Sequence, residues 1–451
     1  MRLALLFALV VASAASPPAQ PLAFGSADDP LELGPALRPA DRVRLGAFAG
    51  PAYLPDDWRA AARLDLEANV GRLSVGLGQT IHSGDGGLYG PEDDELYDLA
   101  RAIRYVRWNA TTGNRTYARL GPTSRVSLGV GALVSRYRTT TAWDERTIGA
   151  EAAVERGGLR VAGFADAVLR LDGVVGGEVG LRTGARLGPV TDLALTLGGV
   201  HDLGRSGLRG DSSLTGVELT LKGAYAGLGP ILVRPFLTHA QYLGRGGTVG
   251  GGAEVGASNI GDAARARLRA SVFVSSAGFV PGHVGPFYAI SNGDERIVDD
   301  RTFFRATTPD ELAGTPLDSL AAGVDLVLDG RVVAFGRAEV SGYFRRHIGD
   351  ERASGFGVRV AGRLPNDGRV EFGLERQDFR GVLDLIQDLG ALNALVLDIR
   401  VPVGRRGLVF VRSRYGYRLL TAADGAAYAD GPPRFLVERR FEPLVGLRFG
   451  G

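Results

Sequence analysis

Five histidines, His82, His201, His239, His283 and His347, are the side chains best suited to proton transfer or metal ligation in this 451-residue chain, and they are widely dispersed along it. No HExxH pair is present to hold zinc, no GxSxG elbow carries a nucleophilic serine, and no GxxxxGK loop cradles a phosphate. Asp202 stands beside His201, but two adjacent residues without a third group make no catalytic dyad. Cysteine is absent, which excludes disulfides, thiol nucleophiles, thiolate metal sites and a lipoprotein anchor. The acids Glu92, Asp93, Asp94 and Glu95 are of the kind that binds divalent cations, yet within the glycine-rich stretch 82–98 they read as a solvated loop. Neither an enzyme nor a cofactor or metal is indicated.

The charges that repeat are arginine and glutamate, and they repeat at every second residue. In Ala264-Arg265-Ala266-Arg267-Leu268-Arg269-Ala270 the odd positions are charged and the even ones apolar. Arg359 and Arg363 alternate with Val358 and Val360 in the same manner, as do Glu371 and Glu375 with Phe372 and Leu374. Arg412, Arg414 and Arg418 oppose Val409, Val411, Tyr415 and Tyr417. A period of two places successive side chains on opposite faces of a strand, so each such segment has one charged and one greasy face. On this reading Arg265, Arg267, Arg269, Arg337, Glu339, Arg359, Arg363, Glu371, Glu375, Arg412, Arg414, Arg418, Glu438 and Glu442 share one wet side. Rings of fixed charge on such a side can select ions, and they can equally well only stiffen a wall by pairing.

Segments of about 9–14 residues with this alternation, separated by Gly, Pro, Asp and Asn turns, run from near residue 42 to the end. The composition is 45% hydrophobic and 23% charged, and no apolar run after the first residues is long enough for a spanning helix. Lys222 is the sole lysine, and 52 basic residues against 50 acids give a formal net charge of +2, which points away from nucleic acid. Arg2 followed by the apolar run Leu3–Val11 and the small residues Ala12–Ser16 has the layout of a signal peptide over residues 1–16, with 17–41 as a Pro- and Ala-rich periplasmic leader. A soluble sandwich would also alternate, but a span of some 400 residues without a domain break is too long for one. Closure into a barrel satisfies every backbone group at bilayer depth.

The final strand carries Phe441, Val445, Leu447 and Phe449 on one face and Glu442 and Arg448 on the other. It resembles the C-terminal signal of bacterial outer-membrane barrels, and the chain as a whole is similar to porin-like outer-membrane β-barrel proteins. The resemblance implies an all-β, antiparallel up-and-down transmembrane barrel over 42–449, of about sixteen to eighteen strands and therefore wide enough for an aqueous bore. It also implies outer-membrane lipid, lipopolysaccharide and the barrel-assembly machinery as partners, with a homo-oligomer open.

Three segments interrupt the pattern. Asp56–Val70 reads as a short helix leading into a strand, and Val382–Leu392 as a short surface helix. The longest, 275–320, is either an inward loop constricting the bore or an outer cap. The function that follows is a passive channel for small hydrophilic solutes or an extruded polymer. Its alternative is a structural barrel anchoring an envelope complex for polysaccharide export, secretion or motility.

Overall fold

The computed structural model describes residues 42–54, 57–84, 87–88, 100, 102–108, 116–123, 126–139, 147–169, 172–203, 214–225, 231–260, 264–276, 279, 281–285, 288, 295–298, 301–305, 323–334, 338–348, 354–363, 368–377, 393–404, 406–419 and 434–449. The expected signal peptide and leader, the acidic cluster at 92–95, Arg337 and the 382–392 segment lie outside the described residues.

The first half of the wall comprises β1 (Arg42–Leu54), β2 (Asp57–Val70), β3 (Leu73–Gly84), β5 (Ile103–Trp108), β6 (Tyr117–Gly121), β7 (Gly149–Arg156), β8 (Leu159–Ala167), β9 (Asp172–Arg182) and β10 (Val190–Asp202). The second half comprises β11 (Leu214–Tyr225), β12 (Ile231–Tyr242), β13 (Gly247–Ile260), β14 (Ala264–Ser275), β17 (Gly323–Ala334), β18 (Ala338–Ile348), β19 (Gly355–Arg363), β20 (Arg369–Gln377), β21 (Asn393–Val403), β22 (Gly407–Leu419) and β23 (Arg434–Phe449). Each pairs antiparallel with the next, and β23 pairs antiparallel with β1, which closes the ring. Of the twenty-three strands, β4 (Gly87–Leu88), β15 (Glu295–Val298) and β16 (Arg301–Arg305) stand outside the ring, so the wall has twenty among the described residues. That exceeds the sixteen to eighteen expected, because several segments with Gly-rich or broken alternation, such as β9 and β13, are full wall strands.

Alternation decides the faces as the sequence requires. Leu237 is 65% exposed and Val445 62%, and Leu268, Val272, Val274, Leu197, Val179, Phe441, Leu447 and Phe449 share that outer surface. The inner face carries charged residues that are buried or half-buried. A closed sheet with an apolar outside and a charged inside is a transmembrane barrel. The segment expected to begin as a helix is strand from Asp57 onward, with burial alternating through Ala61, Arg63, Asp65 and Glu67. Its alanines, which suggested a helix, are small lipid-facing and lumen-facing residues in register with β1. Connections at one end of the barrel are short, as at 71–72, 157–158 and 404–406, whereas the long ones, including 122–148 and 276–322, leave the other end. Outer-membrane barrels place short turns in the periplasm and long loops outside.

Candidate functional site in the barrel lumen

The wall is low where β5, β6 and β7 run for only 6, 5 and 8 residues. There the chain turns inward at Gly121, whose φ of +139° and whose distance of 2.7 Å from a built Cβ to the Arg104 carbonyl leave no room for a side chain. Residues 126–139 then fold inside the barrel. Val126 bridges Tyr137 antiparallel, and the apolar residues Leu128, Val130, Leu133 and Val134 are buried against Phe164, Val200, Phe236, Tyr242 and Phe273 of the surrounding wall.

The tip of this segment is fastened electrostatically. Gly129 and Gly131 adopt positive φ, and the tight turn they make brings the N–H groups of Val130 and Leu133 to one point. That point is Glu218 of β11, 1% exposed, which accepts from Val130 N at 2.8 Å and Leu133 N at 3.2 Å. Gly129 N donates to Glu178 at 2.8 Å, and Lys222, the only lysine, donates to the Gly129 carbonyl at 3.1 Å. An N–H concavity of this form binds an anion, and here the wall supplies the anion itself.

A second inward piece joins it. Gly282 N donates to Ala132 O at 2.6 Å, Ser135 N to Val284 O at 3.0 Å, and Val134 bridges Val284 in parallel. Phe279 stacks on Tyr242 at 4.8 Å. The Tyr288 hydroxyl donates to Asp202 at 2.6 Å, and the Tyr137 hydroxyl donates to Asp166. Thus, of the 275–320 segment, the described residues 279–288 lie inside the barrel, while β15 and β16 form a hairpin whose outer strand pairs with the upper end of β23.

On the far side, Arg138 reaches Glu375 of β20 at 2.9 Å, and the Arg136 guanidinium lies 4.5 Å over the Tyr343 ring of β18. The segment therefore crosses from the β11 wall to the opposite one. Beyond it a network on the inner face joins β2 and β5 to β20–β22, on either side of the β1–β23 closure. Asp65 pairs with Arg63 at 2.8 Å and Arg400 at 2.9 Å, Glu67 with Arg369 at 3.2 Å, and Arg104 stands 3.7 Å from both acids. Asp398 receives Arg412 at 3.0 Å and Arg414 at 3.3 Å. Six guanidiniums, Arg63, Arg104, Arg369, Arg400, Arg412 and Arg414, thus gather around Asp65, Glu67 and Asp398, with Glu442 opposite Arg412 on the neighbouring strand.

Several of the residues expected to line the bore are described on the inner face. Arg267 pairs with Glu254 at 2.9 Å, Arg359 with Glu371 at 3.0 Å, and Glu438 with Arg440 at 3.1 Å. Arg269, Glu339, Glu375 and Arg412 are buried on the inner face. The backbones of Arg265, Arg363 and Arg418 are in strands, with side chains outside the described set. Those residues are not gathered into one site: they are spread from β14 around to β23. Sequence reasoning missed Arg63, Asp65, Glu67, Asp398, Arg400 and the 126–139 segment. The β2 charges did carry the period-two signal; the inward segment, with Val126, Leu128 and Val130 alternating, has the pattern of one more wall strand.

No protein-family model matches the chain, and no curated protein matches it in sequence. Among solved structures it is similar to OccK9 (OpdG) of Pseudomonas aeruginosa, at 10% identity and a TM-score of 0.30, covering 91% of this chain and 99% of that one. OccAB2 of Acinetobacter baumannii gives 11% and 0.29 with 91% and 98% covered, and the outer membrane protein OmpT of Vibrio cholerae gives 12% and 0.20 with 91% and 98% covered. At these TM-scores the alignments carry no weight, and the class rests on the strand pairing and the two faces. The chain is a closed antiparallel β-barrel with the apolar outer face and charged inner face of the barrels that span outer membranes.

Proposed function

We propose that this barrel is a passive channel for small hydrophilic solutes, with a preference for anions. The single observation that supports it is the 126–139 segment, which lies inside the bore and is pinned to Glu218. A barrel of twenty strands encloses more space than wall side chains fill. An inward segment fastened to Glu218 on one side and to Glu375 on the other divides that space, which suits small solutes better than an extruded polymer. Beyond the segment the arginines outnumber the carboxylates they pair with, and fixed charge of one excess sign at a constriction favours counter-ions of the other. The test is single-channel recording in a planar bilayer with a salt gradient. Discrete openings whose reversal potential favours chloride over potassium support the reading. A folded barrel that stays silent overturns it in favour of a structural anchor for an envelope complex, and open channels that prefer cations overturn the anion preference.

A further inference from the structure

The ring is closed less firmly at one seam than at its neighbours. β1 pairs with β2 at thirteen consecutive positions, and β22 with β23 at thirteen. The closing pair β1–β23 has six: Leu45↔Phe449 through Ala49↔Val445, and then Tyr53↔Phe441. The register is the same on both sides of the break, so no bulge separates them. Gly50, Pro51 and Ala52 simply face Leu444, Pro443 and Glu442 without pairing.

The cause is that Pro51 stands opposite Pro443. On an antiparallel ladder every second pair exchanges two N–H···O bonds. The surviving partners at Ala49 and Tyr53 are two residues to either side, so the two prolines occupy the position of such a pair, and neither has an N–H to give. One missing pair removes the bridges on both sides of it, which accounts for a gap of three residues. Each proline keeps its place on its other neighbour, Pro51 against Ala60 and Pro443 against Val411. Both missing donors therefore point at the seam. The strands nevertheless touch, since a Cβ built on Gly50 would lie 2.6 Å from the Pro443 carbonyl.

Apolar surface lies on both sides of the gap. Outside are Pro51, Pro443, Tyr53, Phe441 and Val445; inside are Ala52, Phe48, Phe410 and Leu444, packed as a local cluster. Glu442, the one charged residue at the gap, is turned inward to His82 at 3.3 Å. Above Phe441, β1 ends at Leu54, and the upper edge of β23 is taken over by β16 only at Phe435–Leu436 and Arg434.

We propose that the β1–β23 seam is a lateral opening onto the lipid phase, hinged on the unbonded Pro51–Pro443 pair, through which an apolar chain reaches the patch formed by Phe48, Ala52, Phe410 and Leu444. This goes beyond the channel reading and does not depend on it. Where a ladder is continuous, as on either side of this seam, parting two strands breaks every bond in a medium that offers no replacement partners. The β11–β12 ladder has a shorter gap at its single Pro235, but among the described residues only at β1–β23 do two prolines stand opposite one another. At this seam the middle of the ladder is already unmade.

Because the chain has no cysteine, single-cysteine labelling tests the proposal cleanly. Ala52→Cys, buried and inward-facing behind the gap, is compared with Ala361→Cys, equally buried on the inner face of β19. Both are reconstituted in vesicles and exposed to pyrene maleimide dissolved in the bilayer, with heat-dependent gel mobility selecting folded barrels. Labelling of Ala52→Cys at least tenfold faster than Ala361→Cys is expected, with the difference abolished by adding Pro51→Ala and Pro443→Val. Equal rates, or a fast rate untouched by replacing the prolines, overturn the proposal. Where the proline variants fail to fold, hydrogen exchange on the unaltered chain decides. The seam-bonded amides of Ala49 and Tyr53 should exchange at least tenfold faster than those of Phe48 and Ala52, which bond to β2; equal protection overturns it.

Discussion

Glu218 is the residue on which the interior depends most. Its carboxylate is enclosed by the Val130 and Leu133 amides, with the Thr220 hydroxyl donating at 3.1 Å. Removing it strands two buried N–H groups, so Glu218→Ala should lower stability by about 2–3 kcal/mol and release the inward segment. Thermal melting and a larger, noisier unitary conductance are the readouts; an unchanged conductance would show that the apolar contacts alone hold the segment. His283 supplies a pH dependence from the second inward piece. Burial first, and then the charges of Arg345 and Arg245, hold its pKa down to about 4 from the ordinary 6.5. The docked ring is therefore neutral. Above about pH 6.5 both docked and undocked states are unprotonated and docking is at full strength; as pH falls from 6.5 to 4 the undocked state takes up the proton first, and docking weakens. Proteolysis around residues 281–288 should rise through that window, and His283→Gln should flatten the profile.

Strand faces set what each substitution costs at the level of the element. In β14, Leu268 faces outward and Arg269 inward, although they are adjacent in sequence. Leu268→Arg should cost about 2–4 kcal/mol near the bilayer midplane and impair insertion, as read by heat-modifiable mobility after refolding. Arg267→Ser, which removes one inner-face pair with Glu254, should leave insertion intact. An exchange of those two outcomes would mean the faces are inverted. The elements also show where sequence patterning is ambiguous. β2 satisfies the period-two rule at Arg63, Asp65 and Glu67, but its run of alanines fits a helix nearly as well, and only pairing to β1 and β3 settles it. Residues 126–134 satisfy the same rule and are not wall at all.

For the whole molecule, the charge excess in the lumen is the property to measure. The six arginines grouped around Asp65, Glu67 and Asp398 belong to strands far apart in sequence: β2 and β5 on one side of the closure, β20 to β22 on the other. Arg369→Ser with Arg400→Ser removes two of the six, and the reversal potential in a salt gradient should move toward cations without loss of the barrel. No movement would mean that these pairs only brace the wall. Fold class, membrane environment and the face of each long strand were legible in the sequence, because alternation is local: a period of two can be read from one strand alone, and lipid tolerates no charge on the outer face. The residues that meet across the closure were not legible, since Glu67 meets Arg369 and Arg400 only after twenty strands have closed. The inward turn at Gly121, the clasp on Glu218 and the meeting of Pro51 with Pro443 were likewise decided by tertiary structure. Each depends on which distant backbone stands opposite, and that follows from ring closure and register, which no local pattern encodes.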